Sequence, residues 1–200
     1  PSLVVEFPID GEENTSLLAW TTTPWTLVSN LALAVGSEIS YVKVFSKEHG
    51  KHYILAKDLV GAHFKDEESI EVVQDCKGKD LIGKTYLPML PYFEDRKGQG
   101  AFRVLEADFV STADGTGIVH MAPAFGEDDF LTCKKAGIDL VCPVDGNGRF
   151  TEEVSDYQGL LVKDADKEII RRLKESKRVF SASTIQHRYP FCWRSDTPLI

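Results

Sequence analysis

The sequence lacks the long apolar runs and the close cysteine pairs that define several protein classes. No stretch approaches the ~20 consecutive apolar residues of a membrane-spanning helix. The first eleven residues carry two acids and no Lys or Arg, unlike a secretory signal. Four cysteines occur in 200 residues without a C-x-x-C pair, which argues against a zinc ribbon and a dense disulfide framework. These absences favour reduced thiols and a cytoplasmic location.

Basic residues are too few for a protein that binds nucleic acid along an extended stretch of its backbone. Lys and Arg number 23 against 31 Asp and Glu, which gives a formal net charge of −8. Sequence-independent binding along a phosphate backbone needs a basic face. Contact with one nucleic-acid end is still compatible with this charge. With 42% hydrophobic and 10% aromatic residues, the chain can bury the core of a single domain over residues 1–200.

Short strand-like segments dominate the chain. They are rich in β-branched and aromatic residues and most are bounded by Gly, Asp, Asn or Pro, and they cover residues 2–7, 16–21, 31–35, 41–46, 53–56, 70–74, 101–105 and 116–121. Two helices are predicted, from about 127 to 136 and from about 164 to 177. The sequence therefore predicts a mixed, β-rich fold, a barrel-like sheet with a few peripheral α-helices.

Three further features each have a plain interpretation. Residues 163–178 hold seven basic and four acidic residues, typical of a solvated helix face, with a nucleic-acid-facing patch as the alternative. His49 and His52 could seat a metal, but their position between two strand-like segments favours a hairpin turn. The aromatic and basic run 187–194 has no finishing element after it. We therefore expect a module from a longer chain, with residues 187–200 returning toward the missing part.

The most unusual string is Trp-Thr-Thr-Thr-Pro-Trp-Thr at residues 20–26. Pro24 lacks an N–H group and disfavours helix at the preceding residue, so a strand has to end or bend there. Period-two geometry places Thr21 and Thr23 on one face and Thr22 on the other. Hydroxyls at a bent strand end can hold a water or an ester oxygen. Alternatively, they satisfy their own turn, as threonines often do.

A second string, residues 115–129, is typical of a strand, a tight turn and a helix. Gly115 and Gly117 allow another chain or a ligand to approach the strand closely. Asp129 lies in the first helical turn, where the helix dipole favours acids regardless of function and keeps a carboxylate ionised. It could anchor an ammonium group. His120 could act on a substrate or be a strand histidine with satisfied hydrogen bonds.

Together and in this order, the two strings resemble the editing domain of isoleucyl-tRNA synthetase, a family in which this domain is inserted into the catalytic body. The resemblance covers nearly the whole chain, including residues 30–35 and the closing run 189–194. The related valine and leucine families typically carry Arg in place of Thr23, an acid in place of Trp25, and no histidine in place of His120. The run 122–129 resembles eukaryotic cytosolic forms.

The resemblance implies hydrolysis of mischarged Val-tRNA(Ile) with isoleucine excluded by size, and leaves cleavage of valyl-adenylate open. Thr21, Thr23 and Asp129 would be catalytic, with Asp129 anchoring the ammonium group of the substrate. The residues expected to bind or position the substrate are Trp20, Thr22, Thr26, Asn30 and His120. His120 would act by size selection or by proton transfer. Trp20 and Trp25 would stack on adenine or pack in the core. We expect the threonines and Asp129 to converge on one small crevice.

The implied partners are the 3′-terminal adenosine of mischarged tRNA(Ile) and the rest of the synthetase. We expect a monomer that uses no membrane, metal or cofactor. Because the chain contains neither a class I activation signature nor a P-loop, ATP-dependent aminoacylation is expected only of the full-length protein. A serine or cysteine hydrolase is disfavoured, since no G-x-S-x-G elbow is present. A non-catalytic module that binds the tRNA end is the remaining alternative.

Overall fold

The computed structural model describes residues 1–184, so the predicted return segment 187–200 lies outside the described residues. Within 1–184 the strands are β1 Ser2–Pro8, β2 Thr15–Thr21, β3 Ala32–Val35, β4 Ser40–Ser46, β5 Lys51–Ala56, β6 Ile70–Lys77, β7 Arg103–Glu106, β8 Val119–Met121 and β9 Val179–Ser183. The α-helices are α1 Val60–His63, α2 Gly78–Leu81, α3 Glu127–Lys135 and α4 Val162–Glu175. Short 3-10 helices span Pro24–Ser29, Lys57–Leu59, Glu67–Ser69, Pro91–Gln99 and Glu152–Tyr157.

The strands form one mixed sheet that is organised around β2. Seven strands follow the order β6-β4-β5-β2-β8-β3-β7, and β1 pairs with both β2 and β9. β2 runs antiparallel to β1 and parallel to β5 and β8. The β5 pairing covers the start of β2, whereas β8 pairs near its end, at Trp20. The sheet therefore divides along β2 and curls into a half-barrel, which confirms the predicted β-rich fold with peripheral helices.

β2 is buried on both faces, which explains its apolar centre. Leu17 and Ala19 pack in the main core, while Leu18 packs in a second, smaller cluster. Burying an aliphatic side chain of this size stabilises the fold by roughly 1.5–3 kcal/mol. The strand is therefore held rigidly up to Thr21, where it reaches the candidate site.

Most predicted elements are found close to their predicted ends. The predicted strand 116–121 is wrong at its start, because β8 begins at Val119. Gly115 and Gly117 take φ angles of 69° and 74° in the left-handed region, which interrupts an extended strand. The helix predicted from 164 begins two residues earlier, and β9 has no counterpart among the predicted segments. The hairpin turn is confirmed, with Ser46 opposite Lys51.

The surface of α4 has the character of a solvated helix face. Arg171 forms exposed ion pairs with Glu168 and Glu175, each at 2.7 Å. The described cysteines, Cys76, Cys133 and Cys142, are free thiols. Among residues 1–184, no helix combines the length and the apolar character needed to cross a lipid bilayer.

Candidate active site

The threonine string forms a tight turn where β2 ends. Thr21 is the last residue of β2, and Pro24 is the first residue of the 3-10 helix Pro24–Ser29. Thr21 Oγ1 accepts a hydrogen bond from the Thr23 N–H at 3.1 Å, and the two hydroxyl oxygens lie 3.3 Å apart. Thr21 and Thr23 therefore face the same side, as predicted, but the turn hydrogen bond brings them together and not the alternation of a continuing strand. Part of the hydrogen-bonding capacity of Thr21 is used by its own turn.

Thr26 connects this turn to His120. The Thr26 hydroxyl donates to the Thr23 carbonyl oxygen at 2.8 Å, and its oxygen lies 3.0 Å from His120 Nε2. The same oxygen lies 3.4 Å from Thr23 Oγ1. Although Thr26 and His120 are 94 residues apart in the sequence, the two strings meet in one hydrogen-bonded network.

Asn30 fixes the tautomer of the His120 ring. Asn30 Nδ2 donates to the Ala32 carbonyl at 2.9 Å and to His120 Nδ1 at 2.8 Å. Asn30 Oδ1 accepts from the Tyr86 hydroxyl at 2.7 Å, which sets the orientation of the amide. An amide nitrogen can only donate, so His120 Nδ1 is the unprotonated acceptor. His120 Nε2 therefore carries the hydrogen and donates it to Thr26 Oγ1.

His120 is electrically neutral in this network. The residue is 9% exposed, and burial lowers the pKa of its imidazole to about 4. Both ring nitrogens already have hydrogen-bond partners, so neither is available to take a proton from a water molecule. The arrangement suits a positioning or size-selecting group better than a general base.

A crevice of about 330 Å³ opens beside the threonine turn. The end of β2 and the turn form one wall, and the loop of residues 115–118 that leads into β8 forms the other. Thr22 lines this crevice together with Thr21 and Thr23. The alternation that would place Thr22 on the opposite face does not extend past Thr21, because the strand ends there.

Hydrogen bonds hold the glycine-containing wall in place. The hydroxyl of the fully buried Tyr41 donates to the Gly117 carbonyl at 2.6 Å, and His63 Nε2 donates to the Gly115 carbonyl at 2.7 Å. Gly117 has a φ of +74°, and a Cβ atom added there would lie 2.4 Å from Ala56 Cβ. Both the backbone conformation and the close contact therefore require glycine at this position.

Asp129 is linked to the strand of His120 rather than to the threonine turn. It lies half-buried in the first turn of α3, and its Oδ2 accepts a hydrogen bond from the Ala122 N–H at 2.8 Å. Burial raises the pKa of the carboxyl group, opposite in direction to the effect of a helix start, and the hydrogen bond from Ala122 partly opposes this shift. Asp129 is not among the residues that line the crevice, and no hydrogen bond within residues 1–184 joins it to a threonine. The expected convergence of the threonines and Asp129 on this one crevice is therefore not confirmed.

The two tryptophans of the string differ in environment. Trp20 is half-buried, lines the crevice and donates from Nε1 to Ser2 Oγ at 2.9 Å. Trp25 is 2% exposed and packs edge-on against Phe125, with ring centroids 4.7 Å apart. Trp25 is therefore a core residue, and of the two Trp20 is the one placed to contact a ligand.

Two residues of this region are absent from the sequence-based site. Tyr86 is fully buried and orients Asn30, but it belongs to a stretch without a periodic pattern that could single it out. Asp166 accepts a hydrogen bond from the Trp25 N–H at 2.9 Å. A signal for Asp166 was present, because it is an acid on the buried stripe of α4, four residues after Val162 and three before Ile169.

Solved structures of editing domains share this fold. The crystal structure described as GlLeuRS-CP1 matches with a TM-score of 0.70 and 15% identity, over 93% of this chain and 100% of that chain. The P. knowlesi cytosolic leucyl-tRNA synthetase editing domain matches with a TM-score of 0.67 and 12% identity, over 89% of this chain and 94% of that chain. No family model matches the sequence. The chain thus has the curled β fold of these editing domains.

The chain is also similar in sequence to isoleucine–tRNA ligases. The isoleucine–tRNA ligase of Chlamydia pneumoniae is 52% identical over 200 residues, and that of Bdellovibrio bacteriovorus is 55% identical over 201 residues. Each match covers 100% of this chain and 19% of the relative, so the chain spans about a fifth of the length of the curated relatives it matches. The chain is therefore similar, over its whole length, to one segment of isoleucine–tRNA ligases. These relatives are bacterial, and the expectation of a eukaryotic cytosolic form is not supported.

Proposed function

We propose that this chain is the editing domain of an isoleucyl-tRNA synthetase and hydrolyses valine mischarged onto tRNA(Ile). The observation that carries the proposal is the network that joins Thr21, Thr23 and Thr26 to His120 beside a crevice of about 330 Å³. That volume is at the lower end of the ~300–1,000 Å³ of small-molecule sites and suits a small aminoacyl group. The similarity to isoleucine–tRNA ligases and the editing-domain fold support the same function.

Hydrolysis needs a water molecule placed beside the ester carbonyl. The water attacks the carbonyl carbon, the bond from that carbon to the ribose oxygen breaks, and the ribose oxygen takes up a proton as valine leaves. The α-ammonium group already activates an aminoacyl ester, so the site mainly has to orient the reacting groups. We assign this task to the Thr21 and Thr23 hydroxyls, which lie 3.3 Å apart at the crevice wall and can each donate and accept.

His120 is assigned to size selection through the threonine turn, since it does not line the crevice itself but holds Thr26, which lies beside Thr23. One methylene changes binding in an apolar pocket by only ~1–3 kcal/mol, a general limit for which isoleucyl-tRNA synthetases are themselves the usual illustration. A second site that admits valine and excludes isoleucine multiplies this selectivity. A rigid ring suits the task, because Asn30 and Thr26 hold both nitrogens of His120 and prevent it from moving aside.

Asp129 is assigned to the ammonium group of the substrate. Its Oδ2 is held by the Ala122 N–H, two residues after His120 in the sequence. A carboxyl group whose pKa is raised by burial is stabilised in its ionised form when a cation binds beside it. Trp20 and Thr22 line the crevice and are assigned to substrate contact. Asn30 acts through the His120 ring.

The proposal extends to partners and surroundings. The substrate end would be the 3′-terminal adenosine of tRNA(Ile), and the rest of a synthetase would supply the remaining tRNA contacts. We place the chain in the cytoplasm as a monomer, with valyl-adenylate as a second substrate to be tested.

A non-catalytic module that binds the tRNA end is the second candidate function. One observation favours it, because Thr21 Oγ1 already accepts a hydrogen bond from its own turn.

Binding and turnover together test the proposal. We expect the chain to bind a non-hydrolysable valyl-adenosine analogue at least about tenfold more tightly than the isoleucyl analogue, measured by titration calorimetry. It should also release valine from Val-tRNA(Ile) faster than isoleucine from Ile-tRNA(Ile). Equal affinity for the two analogues would contradict size selection in this crevice. Selective binding without release of valine would favour the non-catalytic module.

A further inference from the structure

Helix α4 carries a carboxylate on the face that it buries. Asp166 is 8% exposed and shares this face with buried apolar residues of the same helix, among them Ala165 and Ile169. A buried carboxylate is unfavourable unless it is hydrogen-bonded. Asp166 Oδ1 has such a partner, because it accepts a hydrogen bond at 2.9 Å from the backbone N–H of Trp25, 141 residues earlier in the sequence.

The Trp25 N–H has no partner inside its own helix. The first N–H groups of a helix lack intrahelical acceptors, and Trp25 is the second residue of the 3-10 helix Pro24–Ser29. On either side of it the backbone is satisfied locally, since the Thr23 N–H donates to Thr21 Oγ1 and the Thr26 N–H donates to the Thr23 carbonyl. Asp166 therefore supplies the acceptor that this buried turn lacks, from a helix that is distant in sequence but adjacent in the fold.

Two residues close to Trp25 in the sequence belong to the candidate site, Thr23 at the crevice and Thr26 in the hydrogen-bonded network with His120. Thr23 lines the crevice, and Thr26 Oγ1 accepts a hydrogen bond from His120 Nε2–H. We propose that Asp166 is a positioning residue for ester hydrolysis, which fixes the start of the 3-10 helix so that Thr23 faces the crevice and Thr26 reaches His120. This inference rests on the proposed function for its kinetic consequence and on the geometry alone for its structural one.

The charge of Asp166 strengthens this contact. Burial raises the pKa of its carboxyl group to about 6, while the nearby Lys163 and the Trp25 hydrogen bond act in the opposite direction. At pH 7.5 the group is therefore mostly ionised, and a hydrogen bond to an ionised acceptor is stronger than one to a neutral acceptor.

Three substitutions separate the hydrogen bond from the charge and from the packing. Asp166→Leu keeps the branching of the side chain on an apolar face, with two larger methyl groups in place of the oxygens, but offers no acceptor. Asp166→Asn keeps an acceptor oxygen without the charge. Asp164→Asn, on the exposed side of the same helical turn, is the matched control for loss of one negative charge.

Steady-state kinetics of valine release from Val-tRNA(Ile) gives the first readout. We expect Asp166→Leu to lower kcat at least about tenfold with KM within about twofold of wild type, because a small displacement of the Thr23 hydroxyl misaligns the attacking water. Asp166→Asn should recover most of the lost kcat, and Asp164→Asn should match wild type. A wild-type kcat in Asp166→Leu would overturn the proposal.

The nitrogen resonances of His120 give a second readout that does not depend on activity. We expect Asp166→Leu to shift the Nε2–H signal, because Thr26 moves away from it, whereas Asp166→Asn and Asp164→Asn leave the signal in place. An unshifted signal in Asp166→Leu would also overturn the proposal. If the wild-type chain releases no valine, the proposed function fails, and the His120 signal still decides whether Asp166 positions the turn.

Discussion

Asn30 Nδ2 lies 2.8 Å from His120 Nδ1, and this one contact determines which ring nitrogen of the histidine carries the hydrogen. The hydrogen sits on Nε2 and is directed at Thr26, while Tyr86 holds the Asn30 amide from its other end. The ring is therefore neutral and fixed in orientation. A group that rejects a substrate by one methylene has to be rigid in this way, because an adjustable wall would yield to the larger side chain.

Replacing Asn30 with Asp is expected to change the protonation of His120. A carboxylate in place of the amide presents an acceptor to Nδ1, so the favourable arrangement becomes a doubly protonated imidazolium. We expect the pKa of His120 to rise well above about 4, as followed by an NMR pH titration of its ring. Asn14→Asp, which adds the same charge at an exposed turn, should leave this pKa unchanged. An unaltered titration in Asn30→Asp would contradict the assigned tautomer.

His120 also predicts a pH dependence of stability. Its pKa is about 4 in the folded chain and 6.5 as its ordinary value, so between these values the unfolded state binds more protons than the folded state. The free energy of unfolding is therefore unaffected by protonation of His120 above pH 6.5 and decreases as the pH falls toward 4. The decrease is up to about 3 kcal/mol, at about 1.4 kcal/mol per pH unit.

His120→Gln should remove this part of the pH dependence. We expect the free energy of unfolding in urea to fall less steeply between pH 6.5 and 4 in the variant than in wild type. Other buried acids, such as Asp129 and Asp166, titrate in both proteins and cancel in the comparison. Parallel curves for the two proteins would show that His120 is not buried in its neutral form.

The sequence predicted the parts of the site that local chemistry controls. Pro24 has no N–H for a strand ladder and disfavours helix at Thr23, so the bend after Thr21 follows from the residue types alone. The β-branched and aromatic runs predict most strands, because these residue types favour extended structure locally. The helix start near Glu127 follows from its run of acids, but the buried environment that raises the pKa of Asp129 depends on packing and was not predictable.

The contacts that make the site rigid are long-range and have no local pattern. Asn30, Tyr86 and His120 come from three separate segments, and the tautomer follows from their meeting. The glycine-containing wall looks like a strand in sequence, because Thr116 and Ile118 favour extended structure. The positive φ of Gly117 and its contact with Ala56 become visible in the folded chain.

Gly117→Ala is expected to destabilise the fold and deform the crevice. The new Cβ atom would lie 2.4 Å from Ala56 Cβ, and the left-handed backbone adds strain. We expect a loss of roughly 2–4 kcal/mol in the free energy of unfolding from overpacking and strain together. Gly11→Ala is the control, since Gly11 has a φ of +82° but nothing within 4 Å, so it reports backbone strain alone. Ala56→Gly in the Gly117→Ala background should recover the excess, and no recovery would show that the clash is not the cause.

The charge of Asp129 should be essential for deacylation but not for folding. Asp129→Asn keeps an oxygen that can accept from the Ala122 N–H, so the link between α3 and the His120 strand survives while the negative charge is lost. Without a carboxylate the substrate ammonium group has no counter-charge, and we expect kcat/KM for valine release to fall at least about 30-fold. Asp128→Asn removes an exposed charge from the same helical turn and should retain wild-type activity.

Circular dichroism and urea unfolding check that the Asp129→Asn and Asp128→Asn variants are folded. If Asp129→Asn releases valine at the wild-type rate, the ammonium group is held by another residue, and Asp114 at the crevice wall is the next carboxylate to replace.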